Sequence, residues 1–131
     1  MRLLDLPVRR DPRGSLCFAE YGKELPFVPM RYFVVFDVPP GQARGGHAHR
    51  RVHQFLVCVR GSCVVSADDG ADKQDFLLDS PSRGLHLPPL VWASQHDHSP
   101  DAILLVLSSE VYEEEEYIRD YQEFKRIVDT A

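Results

Sequence analysis

The densest chemistry in this chain sits in one decapeptide, Pro40-Gly41-Gln42-Ala43-Arg44-Gly45-Gly46-His47-Ala48-His49. In an extended strand, residues two apart share a face, so His47 and His49 project together while Ala48 points away. Two imidazoles then occupy one small volume, each able to take up and release a proton near neutral pH. Arg44 adds a planar donor fork suited to a phosphate or a keto oxygen. Gly45 and Gly46 allow a backbone or a ligand to come close. No hydroxyl or thiol nucleophile adjoins the histidines, which leaves an acyl-enzyme mechanism without support. The chemistry this segment offers is proton transfer beside an anion-binding group.

The elements that must position these residues are strands. Short apolar, β-branched runs recur about every ten residues between turn residues: 15–20, 30–38, 54–60, 62–67, 75–78, 84–87 and 102–107. That rhythm predicts an antiparallel sandwich or barrel. Arg60-Gly61-Ser62 and Asp68-Asp69-Gly70 separate consecutive runs as hairpin turns would, which predicts a three-strand meander. Along the run from 54, Gln54 shares a face with Leu56 and Cys58, and His53 falls on the other face with Phe55 and Val57. The periodicity changes after Glu113. Tyr117, Ile118, Tyr121, Phe124, Ile127 and Val128 form a helical stripe, predicting a helix over about 113–128 that packs on the barrel. Glu113 to Glu116 read as its solvated first turn, favoured by the backbone dipole. Arg119 reads as an ion-pair partner of Glu115 or Glu116, Arg50 and Arg51 as solvated surface, and His86 as a structural histidine.

Composition narrows the class. A chain of 131 residues accommodates one domain, 1–131, with room for a sizeable core. Hydrophobic residues at 44% and charged residues at 27% match soluble globular proteins and exclude a disordered chain. The net charge of −5, with no basic patch, argues against nucleic acid as a partner. No 18-residue apolar window occurs, and Asp5 and Pro7 interrupt any apolar N-terminal run, so the expectation is a cytoplasmic protein without membrane contact. Three cysteines, Cys17, Cys58 and Cys63, without a CxxC pair read as reduced thiols rather than a disulfide framework or zinc knuckle.

Beyond spacing, Gly41, His47, Ala48, His49, Gln54 and Gly61 resemble the first motif of the cupin superfamily, in which glutamate usually stands where this chain has Gln54. Gly84, Pro88 and His96 sketch the second motif. Metal-binding cupins would use the positions of His47, His49, Gln54 and His96; an amide oxygen is a poor substitute for the carboxylate, so neither metal nor other cofactor is expected. The resemblance becomes closer along the chain: Asp11-Pro-Arg13-Gly14, Leu25-Pro26-Phe27, Arg44-Gly-Gly-His47-Ala-His49 with Gln54, Leu78-Asp79-Ser80-Pro81, Trp92, and Tyr117-Ile118-Arg119-Asp120-Tyr121 look like the WxcM-like sugar-nucleotide ketoisomerases. This implies an all-β cupin jelly-roll barrel with one C-terminal α-helix. It implies conversion of a dTDP-4-keto-6-deoxyhexose into its 3-keto isomer, with His47 and His49 as base and acid and His47 removing the C3 proton. Substrate contacts are expected from Arg44, Gln54, Tyr32, His96, Trp92 and Arg13. A metal-dependent cupin enzyme and a non-catalytic sugar-binding cupin are the alternatives. Two departures stand out: Tyr32 is the only tyrosine in a strand where relatives often carry neighbouring tyrosines, and Ala93 follows Trp92 where relatives frequently have histidine. Relatives are homodimers with exchanged N-terminal strands, and a strand carrying Leu3, Leu4 and Leu6 would leave a hazardous edge if uncovered.

Overall fold

The turn-punctuated runs become strands, β1 (Arg2–Asp5), β2 (Val8–Asp11), β3 (Gly14–Cys17), β4 (Arg31–Phe36), β5 (Arg44–His49), β6 (Gln54–Arg60), β7 (Cys63–Asp68), β8 (Lys73–Leu78), β9 (Arg83–Leu87), β10 (Trp92–His96), β11 (Ile103–Ser108) and β12 (Tyr117–Ile118), followed by one helix, α1 (Tyr121–Thr130). The computed structural model describes residues 1–130; Ala131, the last residue of the expected 1–131 domain, lies outside them. One sheet runs β1-β9-β6-β11-β4, a second β12-β5-β10-β7-β8, and β2 and β3 form a separate hairpin. Every pairing within these sheets is antiparallel, and most spatial neighbours are far apart in sequence. This is the jelly roll that the strand rhythm and the cupin resemblance predict.

Alternation builds the core. In β7, Cys63, Val65 and Ala67 are buried while Val64 and Ser66 are half-exposed, and the buried set meets Leu56, Leu104 and Val106 from the other sheet. Strand β6 is buried on both faces: its Phe55 and Val57 pack beneath Leu6, Leu25 and Phe27 of the N-terminal segment. Gly84 on β9 makes that packing possible, since a β carbon there would lie 2.1 Å from the tip of the Phe55 ring.

Two expectations are corrected. Strand β6 does not pair with β7, because a strand apolar on both faces takes a central place, here between β9 and β11. The Arg60-Gly61-Ser62 turn instead carries the chain from one sheet to the other. Gly61 takes a positive φ of 68°, and the Ser62 N–H donates to Ser99 Oγ at 2.9 Å. The β7–β8 hairpin through Asp69 and Gly70 forms as expected.

The second correction concerns the helix, which begins at Tyr121 rather than near 113. Glu114–Glu116 make a single 3₁₀ turn, and Tyr117–Ile118 pair with β5. The helical stripe was therefore a composite: Ile118 from the strand and Phe124 from the helix are both fully buried, in one cluster with Ala48 and Trp92. Glu116 is not solvated. Its carboxylate accepts from the Arg51 backbone N–H at 2.7 Å and from the Arg51 guanidinium at 2.9 Å. Burial alone would raise this carboxyl, but those Arg51 hydrogen bonds hold it below the usual carboxylate range. Arg51 is thus a structural clamp, and Arg119 pairs with Glu114 at 3.2 Å rather than with Glu115 or Glu116.

Candidate active site

His47 and His49 lie on the inward face of β5, which runs between β10 and β12. The β5–β10 register shifts between Ala93 and Ser94, where Gly46 of β5 is left without a partner, and the two strands come together at Gly45, whose φ is 86°. A β carbon at that position would lie 3.0 Å from the Ala93 carbonyl oxygen, so glycine permits both the backbone conformation and the approach. Ala93 sits opposite His47 in the ladder and leaves open space beside the imidazole. The two imidazole rings lie 5.0 Å apart, centroid to centroid, and nearly perpendicular.

Both rings are held in the neutral form. Burial first, then the positive field of Arg119, lowers His47. His49 is only 7% exposed, and neither of its ring nitrogens has a hydrogen-bond partner. Burial, with His47, Arg31 and Arg119 adding to it against a smaller pull from Glu116, lowers its pKa to about 4. At neutral pH the pair is ready to accept a proton. A buried polar group without a partner in the protein is costly to the fold.

The cavity before His47 has a volume of about 80 Å³, with Arg44, Gln54 and Gln95 on its polar side and Leu56, Val65 and Leu87 on its apolar side. It adjoins a wider cleft of about 450 Å³ lined by Arg31, Phe33, Arg44, His47 and Tyr117. The amide oxygen of Gln95 is buried without a partner. Among the described residues no cluster of three or more His, Cys, Asp or Glu side chains is placed to hold a metal ion.

Residues 1–129 match the family model described as FdtA: WxcM-like, C-terminal. The chain belongs to this family. It is 45% identical over 118 residues to a TDP-4-oxo-6-deoxy-alpha-D-glucose-3,4-oxoisomerase of Aneurinibacillus thermoaerophilus, covering 90% of this chain and 85% of that one. A 3,4-ketoisomerase from Helicobacter canadensis superposes with a TM-score of 0.93 at 39% identity, over 98% of this chain and 96% of that one. A histidine-to-asparagine mutant of the QdtA 3,4-ketoisomerase from Thermoanaerobacterium thermosaccharolyticum, in complex with TDP-4-keto-6-deoxyglucose, superposes with a TM-score of 0.94 at 31% identity, over 98% and 94%.

In this member of the family, the structure gathers His47, His49, Arg44 and Gln54 and leaves the other expected contacts outside the cavity. Tyr32 is 68% exposed on the outer face of β4, whose Arg31 and Phe33 point inward instead. Trp92 and His96 occupy the face of β10 opposite Ala93 and Gln95. Trp92 packs edge-on against Tyr121 at 5.3 Å, beneath α1. His96 lies 2.8 Å from Ser66 Oγ and 3.2 Å from Asp97. Arg13 is at the exposed tip of the β2–β3 hairpin, bound to Asp11 at 2.7 Å. His53 is on the far face of its sheet, with Nδ1 3.0 Å from His86 Nε2. Three cavity residues were not anticipated: Gln95, Arg31 and Tyr117. Gln95 and Arg31 follow from strand parity once β10 and β4 are placed.

Proposed function

We propose that this protein is a sugar-nucleotide 3,4-ketoisomerase that moves the keto group of a TDP-4-keto-6-deoxyhexose from C4 to C3. The observation that carries the reading is the pair of neutral imidazoles on β5, His47 lining a cavity edged by guanidinium and amide groups and His49 buried beside it with neither ring nitrogen partnered. A proton α to a ketone is acidic enough for imidazole to remove once the enediolate is stabilised. His47 lines the cavity and takes the C3 proton. Sharing that proton with His49, whose ring is 5.0 Å away, brings it to C4. Arg44 lies where negative charge develops on the sugar oxygens, and Gln54, with Gln95 beside it, orients the sugar hydroxyls. The metal-dependent alternative is disfavoured by its donors: Gln54 is neutral and His96 faces outward.

The test is incubation of the purified protein with TDP-4-keto-6-deoxyglucose, followed by proton NMR. Wild type should form the 3-keto isomer, and His47→Asn or His49→Asn should lower kcat by about 10² to 10⁴. No conversion by wild type would sink the reading, and full activity in both variants would displace the site.

The working unit is a two-fold homodimer with exchange of the N-terminal strand. In its own chain β1 pairs with β9 and keeps one open edge, and β4 presents Tyr32, Val34 and Phe36 on an exposed apolar face, both features that a second copy would cover. Among the described residues no helix is long and apolar enough to cross a membrane; the ketoisomerase reading itself places the reaction in the cytoplasm.

A further inference from the structure

An isomerisation of this kind moves two protons. One leaves C3 and arrives at C4; the other leaves the O3 hydroxyl and arrives at O4. The imidazole pair serves the carbon proton, and the oxygen proton needs a group that can both give and accept. The side chains lining the cavity and its outer cleft are apolar, amide or guanidinium, with two exceptions, His47 and Tyr117. Amides and guanidinium groups hydrogen-bond but do not release a proton under working conditions.

Tyr117 is placed for the task. It stands opposite His49 in the β12–β5 ladder, so both side chains leave the strands on the same face. Its ring centroid is 4.6 Å from that of His49 and 4.9 Å from that of His47. Its hydroxyl has no hydrogen-bond partner among the described residues, although that of the neighbouring Tyr112 is bound to Glu114. The Arg119 guanidinium lies 4.4 Å from the Tyr117 ring centroid, fixed there by Glu114 at 3.2 Å and 3.4 Å. The charged and titratable groups around the ring are therefore His47 and His49 from β5, Arg31 from β4, and Tyr112, Glu114 and Arg119 from its own segment.

We propose that Tyr117 is a third proton-transfer group of this site, giving its phenolic proton to O4 as C3 is deprotonated and recovering a proton from O3. The inference rests on the ketoisomerase reading. As the C3–H bond breaks toward His47, its electron pair forms the C3–C4 double bond. The C4 carbonyl pair takes the Tyr117 proton, leaving an enediol, an imidazolium and a phenolate. In the return half, the phenolate removes the O3 proton, the C3 carbonyl forms, and the double-bond electrons take the imidazolium proton at C4. No redox partner enters, and all three groups end as they began.

Tyr117→Phe keeps the ring against both histidines and beneath Arg119 while removing only the hydroxyl. Its kcat should fall about 100-fold, the lower range for a positioned acid or base, with KM changed less than about threefold. Site-specific replacement of Tyr117 by 3-fluorotyrosine, a more acidic phenol, should move the basic limb of the kcat–pH profile to lower pH. That readout does not depend on the phenylalanine variant folding, and a purely packing role would not move it. A Tyr117→Phe enzyme within about threefold of the wild-type kcat, or a basic limb unmoved by fluorination, would overturn the proposal. Failure of the wild type to convert the ketosugar would fall instead on the ketoisomerase reading.

Discussion

His49 should make the protein sensitive to acid in a defined window. Its imidazole has an ordinary pKa of 6.5 in the unfolded chain and about 4 in the folded one, because burial and the neighbouring cations penalise its charge. The folded state therefore binds fewer protons, so the stability that His49 confers is complete above pH 6.5 and is lost as the pH falls toward 4. At about 1.4 kcal/mol per pH unit, the difference amounts to roughly 3 kcal/mol across that window. His86, also lowered to about 4 by burial and His53, adds a second contribution of the same sign. The assay is urea unfolding at a series of pH values for the wild type and His49→Asn, which carries no titrating ring. The stability difference between the two proteins should change by roughly 3 kcal/mol between pH 6.5 and 4, with the wild type losing more. Parallel stability curves across the window would refute the argument, since they would show that His49 titrates alike in both states.

Three further outcomes follow from the same geometry. Trp92→Ala should lower thermal stability, by less than the roughly 3 kcal/mol of a fully buried aromatic because Trp92 is half-buried, while leaving KM for the TDP-ketosugar within about twofold; a large KM increase would put Trp92 back at the substrate. Dialysis against a strong chelator should leave the isomerase rate unchanged, and loss restored by one divalent ion would favour the metal-dependent reading. Deleting residues 1–7 should lower both the melting temperature and the mass seen by light scattering. An intact chain that scatters as a monomer at micromolar concentration with full turnover would refute the dimer.

How much of this was legible in the sequence depended on how local each signal was. The facing of His47 and His49 needs only the period of one strand, and Gln54 and His53 separate by the same rule. The facing of β10 carried no such signal: Trp92-Ala-Ser-Gln-His96 is half-buried throughout, with no apolar alternation to fix its parity. The family resemblance points to Trp92 and His96 as substrate contacts, but strand parity turns them away from the cavity and turns Gln95 into it. Tyr117 was hidden because Tyr117, Ile118 and Tyr121 fit a helical stripe by chance of spacing. The available corrective was Asp120 followed by Glu123, an N-cap pattern that starts the helix at Tyr121, and the Asp120 side chain does accept the Gln122 N–H at 2.9 Å. The meander failed because turn residues report a reversal, not which sheet receives the returning strand.

Strand β12 is two residues long, yet it turns the histidine strand from an outer edge into an interior member of its sheet. A nascent chain that has not yet emitted Tyr117 and Ile118 presents the unsatisfied amides and carbonyls of β5 to its surroundings. During synthesis, then, the segment with the reactive imidazoles is also a segment open to pairing with the wrong strand. The Arg51–Glu116 clamp, adjacent to β12, holds the late-arriving residues beside β5. Carriers of mutations at Arg51 should consequently lose soluble yield before they lose specific activity.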